Sequence, residues 1–285
     1  MRDRSCAHHA VVTFSICAHD EATGELGIAV QSKFLGVGAL VPWAAAGVGA
    51  IATQALANIG YGRRGLDLLA SGLTPDEVVT RLTSDDPDKD KRQLGIVDAR
   101  GRAATFTGTG CFEWAGGISG PGYCAQGNIL AGRAVVDGLA RGFEDTAGTL
   151  ADRLVAALQG GQRGGGDRRG MESAALLVVK EKGGYGGFTD RFIDLRVDDN
   201  ERPIDELERL LGLYKLYYKV GPTTVVPIDE PLRRDLAEIL ARSGHTDLQD
   251  LFGMENLEER WLDGPSIDAA ALDHLRRRYR TNSRS

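Results

Sequence analysis

The chain has 285 residues, 42% of them hydrophobic and 26% charged, with a formal net charge of -6. That is the make-up of an ordinary globular protein, long enough for one large or two modest domains. The negative balance does not suggest a nucleic-acid partner held through its phosphates, and no stretch approaches the ~20 apolar residues of a membrane span.

Residues 1–12 carry three charges and two histidines without an apolar core, so they are not a signal peptide, and a cytoplasmic protein is expected. The first strand follows at Val12–Ala18. Its two-residue period places Thr13, Ser15 and Cys17 on one side and Phe14, Ile16 and Ala18 on the other. A turn at Glu21–Gly24 leads to a second strand, Leu26–Lys33, and a Gly/Ala-rich connection through Pro42 and Trp43 leads to a third, Val48–Thr53. The period then becomes helical. Leu66, Leu68 and Leu69 sit on a short helix closed by Gly72, and Thr74-Pro75-Asp76-Glu77 opens another with a capping box and Pro at the first helical position.

A hairpin is predicted over residues 93–97 and 103–107, then a long glycine-rich loop from Gly108 to Asn128. Helices are predicted over residues 133–143 and 149–158, followed by a flexible, exposed glycine run at 160–166. Strands at Ala174–Val179 and Phe192–Val197 complete the series. From Arg202 on, the pattern is amphipathic helix, with Leu207, Leu210, Leu211 and Tyr214 on one stripe and Leu232, Leu236, Ile239 and Leu240 on another.

Strands in runs argue for antiparallel sheets, and helix pairs between the runs must cover outer faces. The expected class is therefore α+β, a four-layer αββα sandwich over residues 13–201, with a small helical domain over 202–285 and residues 1–12 as a leader or mis-assigned start. Gly60-Tyr61-Gly62-Arg63-Arg64-Gly65 formally matches a dinucleotide fingerprint, but a helix pair and a hairpin follow it where a parallel βαβ unit is required. The four cysteines, Cys6, Cys17, Cys111 and Cys124, form no CxxC pair and no Cys/His ligand spacing, so neither a metal nor a cofactor is expected. Reduced thiols are expected, with Cys111 and Cys124 meeting across a hairpin as the alternative.

Thr13-Phe14-Ser15-Ile16, Ser32-Lys33-Phe34, Ala52-Thr53-Gln54-Ala55, Gln126-Gly127-Asn128 and Gly166-Asp167-Arg168-Arg169-Gly170 together resemble the bacterial domain-of-unknown-function family 1028. The resemblance covers residues 13–200. It implies the fold of the N-terminal-nucleophile (Ntn) hydrolases, in agreement with the layer order above. Residues 205–280 are similar to a small helical module of the peptidoglycan-binding kind, through Leu251-Phe252-Gly253, Asn256, Arg260 and Ile267-Asp268.

Ntn enzymes use the first residue's side chain as nucleophile and its α-amine, with pKa about 7.7–8.0, as base. The resemblance puts Thr13 in that role, against a reading in which it is only a β-branched strand residue. Twelve residues precede it. Either a GTG-type codon at Val12 is the true start, which we prefer, or the chain cleaves itself before Thr13. Lys33, ending the neighbouring strand, either assists Thr13 or is a solvated lysine. The proteasome-like pattern carries a lysine at the next strand, where this chain has Ala44-Ala45-Ala46.

Thr53, Gln54 and Asn58, with backbone N–H groups between Gly47 and Asn58, are placed to hold a carbonyl oxygen or to make ordinary loop hydrogen bonds. Gln126 and Asn128 join them as substrate-binding candidates. In Asp167-Arg168-Arg169 the two arginines either read a substrate carboxylate, one guanidinium binding it bidentately, or form a structural salt bridge with Asp167 or Glu172.

The expected activity is amide hydrolysis of a small acylated amino acid or peptide by Thr13. The alternative from another class is a non-catalytic binding protein whose helical tail recruits peptidoglycan fragments or a protein partner. A homo-oligomer is carried over by fold association alone.

Overall fold

The computed structural model describes residues 13–279. The expected leader at 1–12, with Cys6, His8 and His9, lies outside the described residues. The chain is mixed α+β, with eight helices and three sheets among the described residues. It divides into two compact units between Glu208 and Arg209.

In the first unit, β1 (Thr13–Asp20) and β2 (Glu25–Ser32) pair antiparallel with Thr13 opposite Ser32. They form the middle of a six-stranded antiparallel sheet, in the order β10-β9-β2-β1-β8-β7. Here β7 is Gly116–Gly120, β8 Tyr123–Gly127, β9 Ser173–Val179 and β10 Arg191–Val197. A four-stranded antiparallel sheet runs β3-β4-β5-β6, from Pro42–Ala45, Gly49–Ala55, Arg92–Asp98 and Ala103–Thr107.

The sheets face each other across a core of Cys17, Ile28, Val30, Ala50, Ala52 and Val97. The period of β1 assigns its sides. Cys17 and Ser15 turn toward the smaller sheet, where they bond Gly95 O and Gln54. Phe14 turns the other way, toward α4 (Leu150–Arg163), beside Leu139 of α3 (Arg133–Glu144). Burying a side chain such as Phe14 or Ile16, both fully covered, contributes about 1.5–3 kcal/mol. On the outer face of the smaller sheet, Ile51, Leu94 and Ile96 pack against α1 (Gly60–Ala70) and α2 (Pro75–Ser84). The Thr74 capping box starts α2 as predicted, Thr74 Oγ1 accepting from Glu77 N and Glu77 Oε2 accepting from Thr74 N.

Four expectations are corrected. The connection at Pro42–Trp43 is a strand, β3, paired through Trp43 and Ile51. The loop at 108–128 contains the hairpin β7–β8, and β8 lies directly beside β1. Its glycines hid it: a Cβ on Gly117 would sit 2.3 Å from Thr105 Oγ1, so this strand is bare because its neighbours come close. The glycine run at 160–166 is not a wholly exposed linker. Gly160 and Gly161 are buried in the last turns of α4, where a Cβ on Gly160 would meet Gly138 O of α3 at 2.1 Å. Cys111 does not meet Cys124, which faces Cys17 across β1 and β8 instead.

The second unit holds most of α5 (Pro203–Tyr217), with α6 (Glu230–Ser243), α7 (Leu248–Met254) and α8 (Ala269–Tyr279). It is not purely helical. Val225–Pro227 (β11) and Ser266–Asp268 (β12) make a small ribbon, too short to show a period in the sequence. Leu216, Leu236, Ile239, Leu251, Phe252 and Leu272 form its core. Arg260, buried, donates to Leu216 O, Lys215 O and the Asp268 carboxylate.

Among the described residues no helix is long and apolar enough to cross a membrane.

Candidate functional site

One end of the facing sheets gathers Thr13, Gln54, Gln126 and Asn128 of the predicted residues. Thr13 begins β1, Ser32 ends β2, Gly127 ends β8, and Gln54 lies next to the end of β4. Thr13 is fully buried, its Oγ1 donating to Ser32 Oγ at 3.3 Å. Its carbonyl accepts from Asn128 N at 3.0 Å and from Gln54 Nε2 at 3.3 Å.

Behind Thr13 lies an amide network that sequence reasoning found only in part. Gln93, at the start of β5, is its hub and was missed. Its Nε2 donates to Gly127 O at 2.8 Å, Gly116 O at 3.3 Å and Thr107 Oγ1 at 2.9 Å. Its Oε1 accepts from Gln54 Nε2 and Asn128 Nδ2, both at 2.9 Å. Gln54 Oε1 accepts from Ser15 Oγ at 2.6 Å, and Ser15 Oγ accepts from Gln126 Nε2 at 2.7 Å. Gln126 Oε1 has no partner among the described residues and lies against the bare backbone of Gly95. The signal for Gln93 was a polar side chain facing inward on a strand covered on both faces.

Other predicted residues stand elsewhere. The Lys33 ammonium donates to Met171 O at 3.2 Å and pairs with Glu172 at 3.5 Å, while Ser32 is the residue that meets the Thr13 hydroxyl. Thr53 Oγ1 donates to Asn58 O, and Asn58 Nδ2 to Asp86. Thr53 N, Leu56 N and Ala57 N donate to Val41 O, Lys91 O and Ala55 O, so these three amides are committed within the fold.

Asp167 is buried and accepts from Lys33 N, Arg169 N and the Arg169 guanidinium, which makes Arg169 an ion-pair partner. Arg168 is exposed. It donates from Nη1 to Glu113 O at 3.2 Å and pairs with no carboxylate among the described residues.

A clamp that the sequence did not reveal secures the segment after β4. Asp86 accepts from Arg92 Nε at 2.8 Å and from the Tyr61 hydroxyl at 2.7 Å, and Arg92 Nη1 donates to Leu56 O at 2.6 Å. The bound guanidinium holds the Asp86 carboxyl well below the usual carboxylate range. Burial, with Asp86 as acceptor, pushes the Tyr61 phenol up.

Beside Asn128 opens a cavity of about 240 Å³ lined by Ala55, Leu56, Cys111 and Phe112. Burial raises the pKa of the Cys111 thiol, which donates to Arg92 O. Among the described residues no group of three or more His, Cys, Asp or Glu is placed to hold a metal ion.

The model of the family DUF1028, described as a family of unknown function, matches residues 13–207. A crystal structure of protein SPO2555 from Silicibacter pomeroyi, of the same family, aligns with TM-score 0.66 and 32% identity, covering 72% of this chain and 86% of that one. Anbu, the ancestral beta-subunit from Yersinia bercovieri, aligns with TM-score 0.33 and 11% identity over 74% of this chain and all of its own. No curated protein matches the chain.

Proposed function

The chain belongs to the DUF1028 family, and for a member with this site we propose an Ntn-type amidohydrolase, a four-layer αββα enzyme with Thr13 as its nucleophile. One observation carries the reading. Thr13 is at once the first residue of the family match and the residue whose carbonyl the amide network holds from two sides. A nucleophile must be held rigidly, and a strand end pinned by Gln54 and Asn128 is held so.

Removal of the residues before Thr13 frees its α-amine. The amine takes the Oγ1 proton as the oxygen attacks the amide carbonyl, then passes it to the departing nitrogen. This leaves an ester on Thr13. Water, deprotonated by the same amine, attacks that ester and releases the acid. Arg168, exposed and without a carboxylate partner among the described residues, suits a carboxylate-bearing substrate such as an acylated amino acid or small peptide. Lys33, committed to Met171 and Glu172, has no step in this scheme.

A second reading is favoured by the complete burial of Thr13. In it the fold binds without chemistry, and residues 209–279 recruit cell-wall fragments or a protein partner.

The test joins N-terminal mass spectrometry with turnover of an N-acyl amino acid panel. The expected results are a mature chain beginning at Thr13 and a loss of roughly 10⁴ or more in kcat for Thr13→Ala. Turnover by a chain that keeps the residues before Thr13, or undiminished turnover by Thr13→Ala, would refute Thr13 as the nucleophile, and no turnover by a chain that begins at Thr13 would refute the hydrolase.

A further inference from the structure

We infer that the cavity beside Asn128 is a specificity pocket for an N-acylated amino acid with a small apolar side chain, whose amide N–H donates to Asn128 Oδ1. The inference rests on the reading of the Thr13 end as the functional site, and it adds what that site selects.

The orientation of Asn128 follows from backbone atoms alone. Gly127 O and Gly116 O can only accept, so the Gln93 group facing them is its Nε2, and Oε1 must point the other way. Gln93 Oε1 then requires donors, and Asn128 presents Nδ2 to it at 2.9 Å. Thr13 O fixes Gln54 in the same way. Asn128 is 1% exposed, and the hydrogen bond of its side chain is made from Nδ2. Asn128 lines the cavity, so Oδ1, turned away from Gln93, is an acceptor of fixed direction for a donor there.

Apart from Gly110, Cys111 and Lys91, whose ammonium pairs with Asp88, the remaining wall is apolar. Ala55, Leu56 and Phe112 line it, and Phe112 is 65% exposed, an uncovered ring at a cavity wall. A volume of about 240 Å³ lies below the roughly 300–1,000 Å³ of drug-sized pockets, which limits the occupant to a small group.

Backbone strain marks the same place. Ala55 has φ 65° and Ile129, next to Asn128, has φ 50°, although a β-branched residue strongly disfavours the left-handed region. Such residues cluster where the surroundings hold a ligand site in shape. Ile129 also joins the elements involved, since its N donates to Phe112 O and its O accepts from Arg168 N. Arg168 in turn holds Glu113 O, so the cation suited to the substrate carboxylate is tied to the loop that carries Phe112.

Cys111 provides the reporter, because it lines the cavity and is half-buried, whereas Cys17 and Cys124 are fully buried. Alkylation of Cys111 by iodoacetamide, followed by peptide mass spectrometry on the full chain, measures occupancy. The probes are N-acetyl-L-leucine, N-acetylglycine and the ester analogue of the first, with oxygen in place of N–H. N-acetyl-L-leucine should slow alkylation of Cys111. The ester should need about tenfold or more higher concentration, because it leaves Asn128 Oδ1 unsatisfied, and N-acetylglycine should also be weaker.

Melting shifts with the same compounds give a second reading that does not depend on thiol reactivity. Equal protection and equal shifts by all three, or none from any, would overturn the pocket. Protection without turnover would refute hydrolysis and keep the pocket, and turnover without protection would do the reverse.

Discussion

Gly95 tests the amide network most directly. A Cβ built on it would meet Gln126 Oε1 at 2.0 Å, Cδ at 2.4 Å and Nε2 at 2.6 Å. Its backbone is not left-handed, so Gly95→Ala introduces the clash without backbone strain. The Gln126 amide must retreat by more than an ångström, and Nε2 then loses Ser15 Oγ, now 2.7 Å away.

Overpacking a tight core costs about 1–3 kcal/mol, and a lost buried hydrogen bond about 1–1.5. Alanine's advantage over glycine in a strand returns about 0.5–1. The net expectation is about 2–3 kcal/mol of destabilisation. In a Gln126→Ala background the clash is gone, so the same change should cost nothing or stabilise slightly, a coupling of about 3 kcal/mol. Urea unfolding followed by tryptophan fluorescence reads this, with Trp261→Phe in every variant so that Trp43 and Trp114 report on the first unit alone. Equal costs in the two backgrounds would show that Gln126 does not occupy the space over Gly95.

Asp86 should set part of the acid stability. Its folded pKa is depressed, so its contribution is complete above the unfolded value near 3.9 and is lost as pH falls from there toward the folded value. Asp86→Asn should therefore unfold more easily at pH 7 and show a flatter stability–pH slope below about pH 4; an unchanged slope in acid titrations would remove Asp86 from the account. In the second unit, Arg260→Ala leaves the buried Asp268 carboxylate without its guanidinium and should cost about 3–5 kcal/mol. Hydrogen exchange should show lost protection across residues 209–279, and full protection there would refute the role of this pair.

What the sequence disclosed and what it concealed divide along a physical line. Apolar period and capping chemistry are local, so β1, β2, the hairpin of β5 and β6, and all four helices of the first unit were legible, α2 down to its capping box. Close approach is not local. Gly117 and Gly160 read as loop residues because nothing nearby in sequence says that Thr105 Oγ1 or Gly138 O will lie where a Cβ would be. The site divides in the same way. Thr13, Gln54 and Asn128 were visible as candidates, but the residue that orients Gln54 and Asn128 was not, because Gln93 acts through backbone carbonyls more than twenty residues away. Arg168 and Arg169 make the point sharply. As neighbours in sequence they were indistinguishable, and only the buried Asp167 makes Arg169 its ion-pair partner while Arg168 donates to Glu113 O. A buried amide network has no sequence motif of its own, because its meaning is a direction assigned to each oxygen and nitrogen. In this fold that assignment turns Asn128 Oδ1 away from Gln93, on a residue that lines the cavity.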